Sequence, residues 1–174
     1  MNLIEKYSVP NFGEIKLKLI TLINQVPKNS LKTERVFKGE AYGQKISNTD
    51  YNLKKEDPFH YRQFFFDNVL KEYLKYSVKK FNRFRIEVDS LWFQIYKKGD
   101  FHGWHSHAKT NFANVFYLQL PNKNLKTNFR DCKDIPIKEG DILTFPAYML
   151  HRSPMNTNDK EKIIISWNSN FLHG

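Results

Sequence analysis

Three histidines stand close together in the segment WFQIYKKGDFHGWHSH, which covers residues 92–107. β-Branched and aromatic residues open the segment and a Gly-Asp pair follows them, as expected for a strand that ends in a turn. Side chains alternate along a β-strand, so His105 and His107 are expected to point to the same face. The segment therefore predicts a strand that presents two imidazoles on one side.

Further strand-like segments lie on both sides of this motif. They are Arg85–Val88, Ser90–Tyr96, Asn114–Leu120, Ile142–Phe145 and Lys162–Trp167. All of them are short, rich in β-branched or aromatic residues, and separated by Gly, Pro or Asn clusters. Several short strands at this spacing are typical of a β-sandwich or a β-barrel.

The first half of the chain has a different pattern, in which apolar residues recur at helical spacing. This spacing predicts an amphipathic helix over Asn11–Val26. A second helix is predicted from about Pro58, a residue that suits the first helical turn, to about Phe81. Residues 31–57 are polar, with only short strand-like pieces such as Arg35–Phe37.

The length of 174 residues fits a single domain. We expect a helical part over residues 1–84 that supports a β-rich core over residues 85–171. No apolar run approaches the roughly 20 residues of a membrane span, and Glu5 and Lys6 stand where a signal peptide is apolar, which indicates a cytoplasmic protein. The single cysteine, Cys132, excludes an intrachain disulfide and a cysteine-based zinc site.

The chain is basic, with 28 Lys and Arg residues against 18 Asp and Glu residues and a formal charge of +10. Such a balance allows attraction to nucleic acid. The lysines are scattered, however, and no base-reading motif is present. A nucleic-acid substrate is therefore not favoured over a protein or small-molecule substrate.

His151 is the natural third partner of the histidine pair, because it follows a strand that begins at a Gly-Asp turn and ends in Phe145-Pro146. Imidazole is a common ligand of Fe, Zn, Cu and Ni. Three protein ligands leave positions open for substrate, water or oxygen, as in catalytic metal sites. His102, three residues before His105, is expected to face the opposite way, and we assign it a supporting or substrate-contacting role.

The segment 92–107 resembles the first metal motif of the iron(II)/2-oxoglutarate-dependent oxygenases. The run GDILTFP (Gly140–Pro146) is similar to the one before that family's distal histidine, and KIIISWN (Lys162–Asn168) is similar to the strand after it. The resemblance covers about residues 85–171 and is greatest to a small bacterial and phage branch. It implies a double-stranded β-helix, or jelly-roll, with N-terminal helices packed against it.

The resemblance also implies roles for individual residues. His105 and His151 would bind Fe(II), and Lys162 falls where the family binds the distal carboxylate of 2-oxoglutarate. Tyr96 lies nine residues before His105, where related enzymes place a tyrosine that contacts the cosubstrate. Further cosubstrate-lining positions fall on Gln94 and Asn168. The implied activity is a dioxygenase that uses molecular oxygen to oxidise an organic substrate, typically by hydroxylation.

His107 departs from the family pattern, which has Asp or Glu at this position. Three arrangements are open. His107 is itself the third ligand, which strand alternation favours; or it points aside and water completes a two-histidine site, as in the aspartyl/asparaginyl hydroxylase branch; or a nearby carboxylate such as Asp100 reaches the metal.

Two other classes of function fit the same pattern. The first is a cupin-type metalloenzyme with three histidine ligands that does not use 2-oxoglutarate. Cupins add a Glu shortly after the second histidine, where this chain has Asn111 and Phe112, so the spacing fits while one ligand is missing. The second is a non-catalytic jelly-roll binding module, which would hold no stoichiometric metal.

Overall fold

The computed structural model describes residues 4–27, 31–35, 45–51, 60–82, 85–130, 132 and 134–172. The strands are β1 (Glu5–Ser8), β2 (Lys32–Arg35), β3 (Lys45–Thr49), β4 (Arg85–Tyr96), β5 (His102–His105), β6 (Phe112–Gln119), β7 (Asn128–Phe129), β8 (Asp141–Pro146), β9 (His151–Ser153) and β10 (Lys162–Leu172). The helices are α1 (Phe12–Asn24), α2 (His60–Phe65) and α3 (Lys71–Lys80), with a π-helical turn (Phe66–Leu70) between α2 and α3. A 3-10 turn covers Lys123–Leu125.

Two antiparallel sheets form the body of the protein. The large sheet has the strand order β1-β8-β6-β10-β4-β3-β2, and the small sheet has the order β5-β9-β7. Neighbours in the large sheet are distant in sequence, as β10 lies between β6 and β4. This architecture is the double-stranded β-helix that the sequence predicted.

The N-terminal part supplies strands as well as helices. β1 pairs with β8, and β3 pairs with both β2 and β4, so residues before position 84 extend the large sheet at both edges. The two predicted helices are confirmed over α1 and over α2 to α3. Val36, Phe37 and Pro58, which entered the predictions for this region, lie outside the described residues. Within the described part of the chain, no helix has the length and apolar character to cross a membrane.

One face of the large sheet packs against the helices. Ile163, Ile165 and Trp167 of β10 alternate toward this side, where they meet buried residues of α1 and of the π-helical turn. The rings of Phe65 and Trp167 meet edge to face with centroids 5.7 Å apart. Burial of these large apolar side chains holds the helical layer on the sheet.

The opposite face of the large sheet points toward the small sheet. Ile164 of β10 belongs to a second buried cluster on that side, together with Tyr96, Val115 and Phe145. Because both faces of β10 are covered, its sequence IIISW (Ile163–Trp167) is almost continuously apolar rather than alternating. The polar side chains of β10 that share the face of Ile164 are therefore carried into the interior.

Gly140 is expected to tolerate no side chain, because its φ is +86° and an added Cβ would lie 2.7 Å from Cγ of Phe12. Gly140→Ala should lower the free energy of unfolding by about 3 kcal/mol, from the left-handed backbone and from overpacking together. Gly99→Ala is the matched control, since Gly99 has a similar φ of +88° with nothing within 4 Å of the added atom. It should cost only about 1–2 kcal/mol. Urea denaturation of both variants measures the difference, and equal losses would contradict the packing argument.

Candidate metal centre

A cavity of about 300 Å³ lies between the two sheets. Every site residue predicted from the sequence lines it: Gln94, Tyr96, His105, His107, His151, Lys162 and Asn168. The alternation of side chains on β4 and β10 accounts for four of these positions, because Gln94 and Tyr96 share one face of β4 and Lys162 and Asn168 share one face of β10. The histidines come from the small sheet and the loop after it.

His105, His107 and His151 form one cluster. Each ring offers a nitrogen, and these three nitrogens lie within 4.8 Å of one another. His105 pairs directly with His151 across β5 and β9. The sequence placed His107 on the same strand as His105, but β5 ends at His105. His107 is instead held by its backbone N–H, which donates to the carbonyl oxygen of Ala147 at 2.8 Å.

The hydrogen bonds of the three rings determine which nitrogen is available to a metal. Nδ1 of His105 and Nδ1 of His151 each contact the backbone carbonyl oxygen two residues earlier, at 2.8 and 2.9 Å. Nδ1 of His107 contacts Oδ1 of Asn168 at 2.7 Å. Because these oxygens only accept hydrogen bonds, each Nδ1 carries the hydrogen and each Nε2 keeps its lone pair. The cluster thus offers three Nε2 donors of the same tautomer.

Burial keeps these imidazoles uncharged. It lowers the pKa of His105 to about 4 and the pKa of His151 to about 3, and it also lowers the pKa of His107. Neutral imidazoles with fixed hydrogens are the form in which histidine binds divalent cations. The cluster therefore fits Fe(II) or another divalent ion that accepts imidazole ligands.

His102 does not face away from His105. The two rings stack with centroids 3.7 Å apart and planes 12° apart, and His102 also lines the cavity. The expectation of an opposite orientation is wrong because the β5–β9 register shifts between these residues, and such an irregularity breaks the alternation of side chains. His102 is not one of the three clustered histidines. Its stacked ring packs against one side of the His105 ring and supports it there.

Asp100 makes hydrogen bonds in the turn before β5 and does not line the cavity. Its Oδ2 accepts hydrogen bonds from Nζ of Lys45 and from the backbone N–H of Lys97, both at 2.8 Å. The residue is buried there and does not line the cavity. Neither Asn111 nor Phe112, which stand where a cupin adds its Glu, lines the cavity either.

Lys162 is a buried cation on the cavity wall. It is fully buried, and its Nζ donates to the carbonyl oxygen of Leu125 at 2.6 Å and to Oγ of Ser153 at 2.7 Å. Its Nζ lies 5.0 Å from the ring centroid of Tyr96. Among the described residues no carboxylate lies within ion-pairing distance of it. A buried ammonium without an acidic partner is costly, so this position fits the carboxylate of a ligand.

Ser153 is a site residue that the sequence predictions missed. It lies two residues after His151 on β9, so alternation carries its side chain to the same face as the histidine. That spacing was a usable signal once His151 had been assigned. Gln94 also has a protein contact in the cavity wall, since its Nε2 donates to Oγ of Ser47 at 3.3 Å.

Comparisons with known proteins give a clear result for the fold. The sequence matches no protein-family model and no curated protein. Among solved structures, a viral collagen prolyl hydroxylase from Paramecium Bursaria Chlorella virus-1, in its 2-oxoglutarate complex, is 15% identical with a TM-score of 0.62 over 98% of this chain and 97% of that one. A prolyl hydroxylase from Trichoplax adhaerens, bound to a fragment of hypoxia inducible factor, is 11% identical with a TM-score of 0.65 over 97% of this chain and 84% of that one.

A third neighbour carries out a different reaction. The α-ketoglutarate-dependent carbocyclase SnoK from nogalamycin biosynthesis is 10% identical with a TM-score of 0.68 over 96% of this chain and 79% of that one. All three neighbours are non-haem 2-oxoglutarate oxygenases, and the likeness at this identity establishes the shared fold. The reaction has to be argued from the residues of the site.

Lys162→Met should raise the free energy of unfolding of the metal-free protein by about 1–3 kcal/mol at pH 7, because it removes a buried charge while leaving two oxygens without their donor. Burial lowers the pKa of Lys162 from 10.5 to about 7. Between these values the unfolded chain binds more protons than the folded one, so the wild-type protein gains stability as the pH rises through this window. The advantage of the variant should therefore shrink toward pH 10.

Urea denaturation at about pH 7 and about pH 10 measures this effect. Lys75→Met is the matched control, because the Lys75 side chain is 63% exposed. It should change stability by less than about 0.5 kcal/mol at either pH. If Lys162→Met is less stable than the wild-type protein at both pH values, the buried ammonium is a net source of stability and the argument fails.

Proposed function

We propose that the protein is an Fe(II)- and 2-oxoglutarate-dependent dioxygenase that hydroxylates a protein, peptide or small-molecule substrate. The observation that carries the proposal is a single cavity lined by three neutral histidine nitrogens and by a buried lysine that has no acidic partner in the described part of the chain. Three neutral histidine nitrogens can bind a metal ion, and a buried lysine ammonium can bind a carboxylate. 2-Oxoglutarate joins the two, because its keto-acid end binds a metal and its far end is a carboxylate.

The proposed ligands are His105, His107 and His151, each through Nε2. Their tautomers support this assignment, because all three Nδ1 atoms are engaged by oxygen acceptors. Asn168 supports the assignment of His107 as a ligand, because its amide oxygen contacts Nδ1 of His107 and orients the ring. This contact favours the three-histidine arrangement over one in which His107 points aside and water takes its place.

The proposed 2-oxoglutarate site lies around Lys162. The ammonium group would bind the distal carboxylate, while Ser153 and the carbonyl oxygen of Leu125 orient the ammonium. Tyr96 is buried beside the lysine, and we propose that it and Gln94 line the cosubstrate. Because no described acidic residue competes for Lys162, the cosubstrate itself would supply the missing negative charge.

When bound, Fe(II) and 2-oxoglutarate supply the oxidative chemistry, in which molecular oxygen converts 2-oxoglutarate to succinate and carbon dioxide and oxidises the substrate. The protein contributes position and a dry environment. Tyr96, Phe145 and Ile164 are buried in the cavity wall and exclude water from the region between the histidines and Lys162. Trp92 stands beside His107, with ring centroids 6.3 Å apart, on the side from which a substrate would approach.

A three-histidine metalloenzyme that does not use 2-oxoglutarate is the second candidate. The observation that favours it is the ligand set, which contains no carboxylate and would leave more positive charge on the metal than two imidazoles and one carboxylate do. Lys162 argues for the first candidate, because no carboxylate of the described residues pairs with this buried cation and the far carboxylate of 2-oxoglutarate would do so. A binding module without metal would not account for the tautomer that the three histidines share.

Anaerobic addition of Fe(II) and then 2-oxoglutarate should produce a weak visible charge-transfer band that is absent in His105→Ala and in His151→Ala. Lys162→Met should bind 2-oxoglutarate about 10- to 100-fold more weakly, because it loses a charge-assisted hydrogen bond. His60→Ala is the control, since His60 is exposed and lies outside the cluster. One tightly bound iron without a band would favour the second candidate, and no bound metal would favour a binding module.

Asn168→Leu should weaken Fe(II) binding by about 10- to 100-fold, because His107 then loses the acceptor that orients its ring. Asn168→Asp keeps an oxygen at this position and should retain most of the affinity. Competition with a metal-binding dye under anaerobic conditions measures both. If Asn168→Leu and His107→Ala both bind Fe(II) like the wild-type protein, the metal needs only His105 and His151, and water completes the site.

A further inference from the structure

His102 is placed by β5 on the cavity wall, beside the proposed metal ligands. Its ring stacks on the ring of His105 with centroids 3.7 Å apart, and both rings line the cavity. In the ladder between β5 and β9, His105 lies opposite His151 and His102 lies opposite Ser153. Oγ of Ser153 accepts a hydrogen bond from Nζ of Lys162. The wall that carries His102 therefore leads from the histidine cluster toward the buried lysine.

The stacking prevents His102 from sharing a metal ion with His105. The lone pair of an imidazole nitrogen lies in the plane of the ring, and the planes of these two rings are only 12° apart. Two such nitrogens point side by side, whereas the ligands of one ion point toward a common centre. The three nitrogens that lie together belong to His105, His107 and His151. His102 thus adds a fourth imidazole to the cavity without adding a ligand.

The ring of His102 is neutral and carries one hydrogen-bond donor. Burial, with further contributions from the neighbouring histidines and Lys162, lowers the pKa of His102 to about 2. A neutral imidazole has one N–H and one bare nitrogen. Within the described part of the chain, this ring makes stacking contact but no hydrogen bond. Because a buried N–H without an acceptor is costly, the position fits an acceptor that a ligand supplies.

The cosubstrate of the proposed function would run along this wall. Its keto-acid end would lie at the three histidine nitrogens and its far carboxylate at Lys162. The keto-acid end brings negatively charged oxygen atoms next to His105, on which the ring of His102 stacks. A hydrogen bond to a charged oxygen is stronger than one between neutral groups, so a single N–H at this place contributes measurably to cosubstrate binding.

We infer that His102 is a further cosubstrate-binding residue, and that its ring N–H donates a hydrogen bond to the keto-acid end of 2-oxoglutarate. The inference rests on the proposed function and assigns a residue to the end of the cosubstrate that lies away from Lys162. A residue in this role affects the cosubstrate and leaves the metal in place. A residue that only packs against His105 would instead affect metal binding, because His105 is a proposed ligand.

His102→Phe tests the inference, because it keeps an aromatic ring against His105 and removes the N–H. With Fe(II) under anaerobic conditions, the variant should bind 2-oxoglutarate about tenfold more weakly than the wild-type protein. Its charge-transfer band should move to shorter wavelength, because the lost hydrogen bond no longer stabilises the acceptor orbital of the keto acid. Fe(II) affinity, measured by competition with a metal-binding dye, should stay within about threefold of the wild-type value.

Two further variants serve as controls for His102→Phe. His102→Gln keeps an N–H donor and loses the stacked ring, so it should bind 2-oxoglutarate more tightly than His102→Phe, with a band closer to that of the wild-type protein. Trp104→Phe is the matched control on the same strand, since Trp104 is 46% exposed and does not line the cavity. It should change neither the affinity nor the band.

Pyruvate distinguishes the two ends of the cosubstrate, because it has the keto-acid group and lacks the far carboxylate. His102→Phe should weaken the binding of pyruvate by about the same factor as that of 2-oxoglutarate. Lys162→Met should weaken the binding of 2-oxoglutarate alone. If His102→Phe weakens 2-oxoglutarate but not pyruvate, His102 does not bind the keto-acid end and the inference is wrong.

A measurement on the wild-type protein requires no substitution. With Zn(II) in place of Fe(II) and with ¹⁵N-labelled histidine, NMR should show the ring N–H groups of the three ligands. Addition of 2-oxoglutarate should bring out one further ring N–H that is protected from solvent exchange and shifted downfield. No such fourth N–H in the 2-oxoglutarate complex would overturn the inference even if the variants fail to fold.

The outcomes separate this inference from the proposed function. A wild-type protein that binds Fe(II) and gives no band with 2-oxoglutarate removes the proposed function, and the inference with it. With a normal wild-type band, the inference alone is overturned by unchanged 2-oxoglutarate binding in His102→Phe, or by a loss of Fe(II) affinity that matches the loss of 2-oxoglutarate affinity. Equal losses in His102→Phe and His102→Gln would also overturn it, because the donor would then have no effect.

Discussion

The pairing of β5 with β9 is the contact on which the rest of the site depends. It sets His105 directly opposite His151 and fixes the backbone carbonyl oxygens that orient both rings. The small sheet is short, so it gains its position from packing against the large sheet and from the hydrogen bond between His107 and Ala147. Three imidazoles from two strands and one loop can then offer the same nitrogen to one point.

The buried lysine places a second constraint on the same cavity. The buried ammonium of Lys162 lowers the free energy of unfolding, because it donates to a carbonyl oxygen and a hydroxyl and pairs with no carboxylate among the described residues. The pairing of β10 with β4 and β6 holds it there. Lys162 is the first residue of β10, directly before the apolar run Ile163–Ile165, and the proposed carboxylate ligand would supply the opposite charge that this buried cation needs. Stability of the free protein and the proposed recognition of a carboxylate are thus opposed at this residue.

The aromatic residues divide into two sets that sequence patterns alone did not separate. Phe65 and Trp167 pack inside the layer between helices and sheet, where they hold the fold together. Tyr51 and Trp92 stand where the metal cavity meets a groove between β4 and α2. Their positions depend on Asp50, which joins β4 to α2 because it accepts hydrogen bonds from the backbone of Phe93 and from Arg62. The groove is therefore lined both by the N-terminal part of the chain, through Tyr51, Arg62 and Phe66, and by β4.

Local alternation and helical spacing were sufficient to predict both helices and the strands β4, β6, β8 and β10, because these depend on neighbours along the chain. The cavity residues Gln94, Tyr96, Lys162 and Asn168 were named from the family resemblance. The tertiary structure alone decided the rest. A register shift turned His102 toward His105, and a loop contact rather than a strand positioned His107. The choice of Asn168 as the partner of His107 joins residues 61 positions apart. Such contacts arise from the pairing of distant strands, and the local sequence pattern does not encode that pairing.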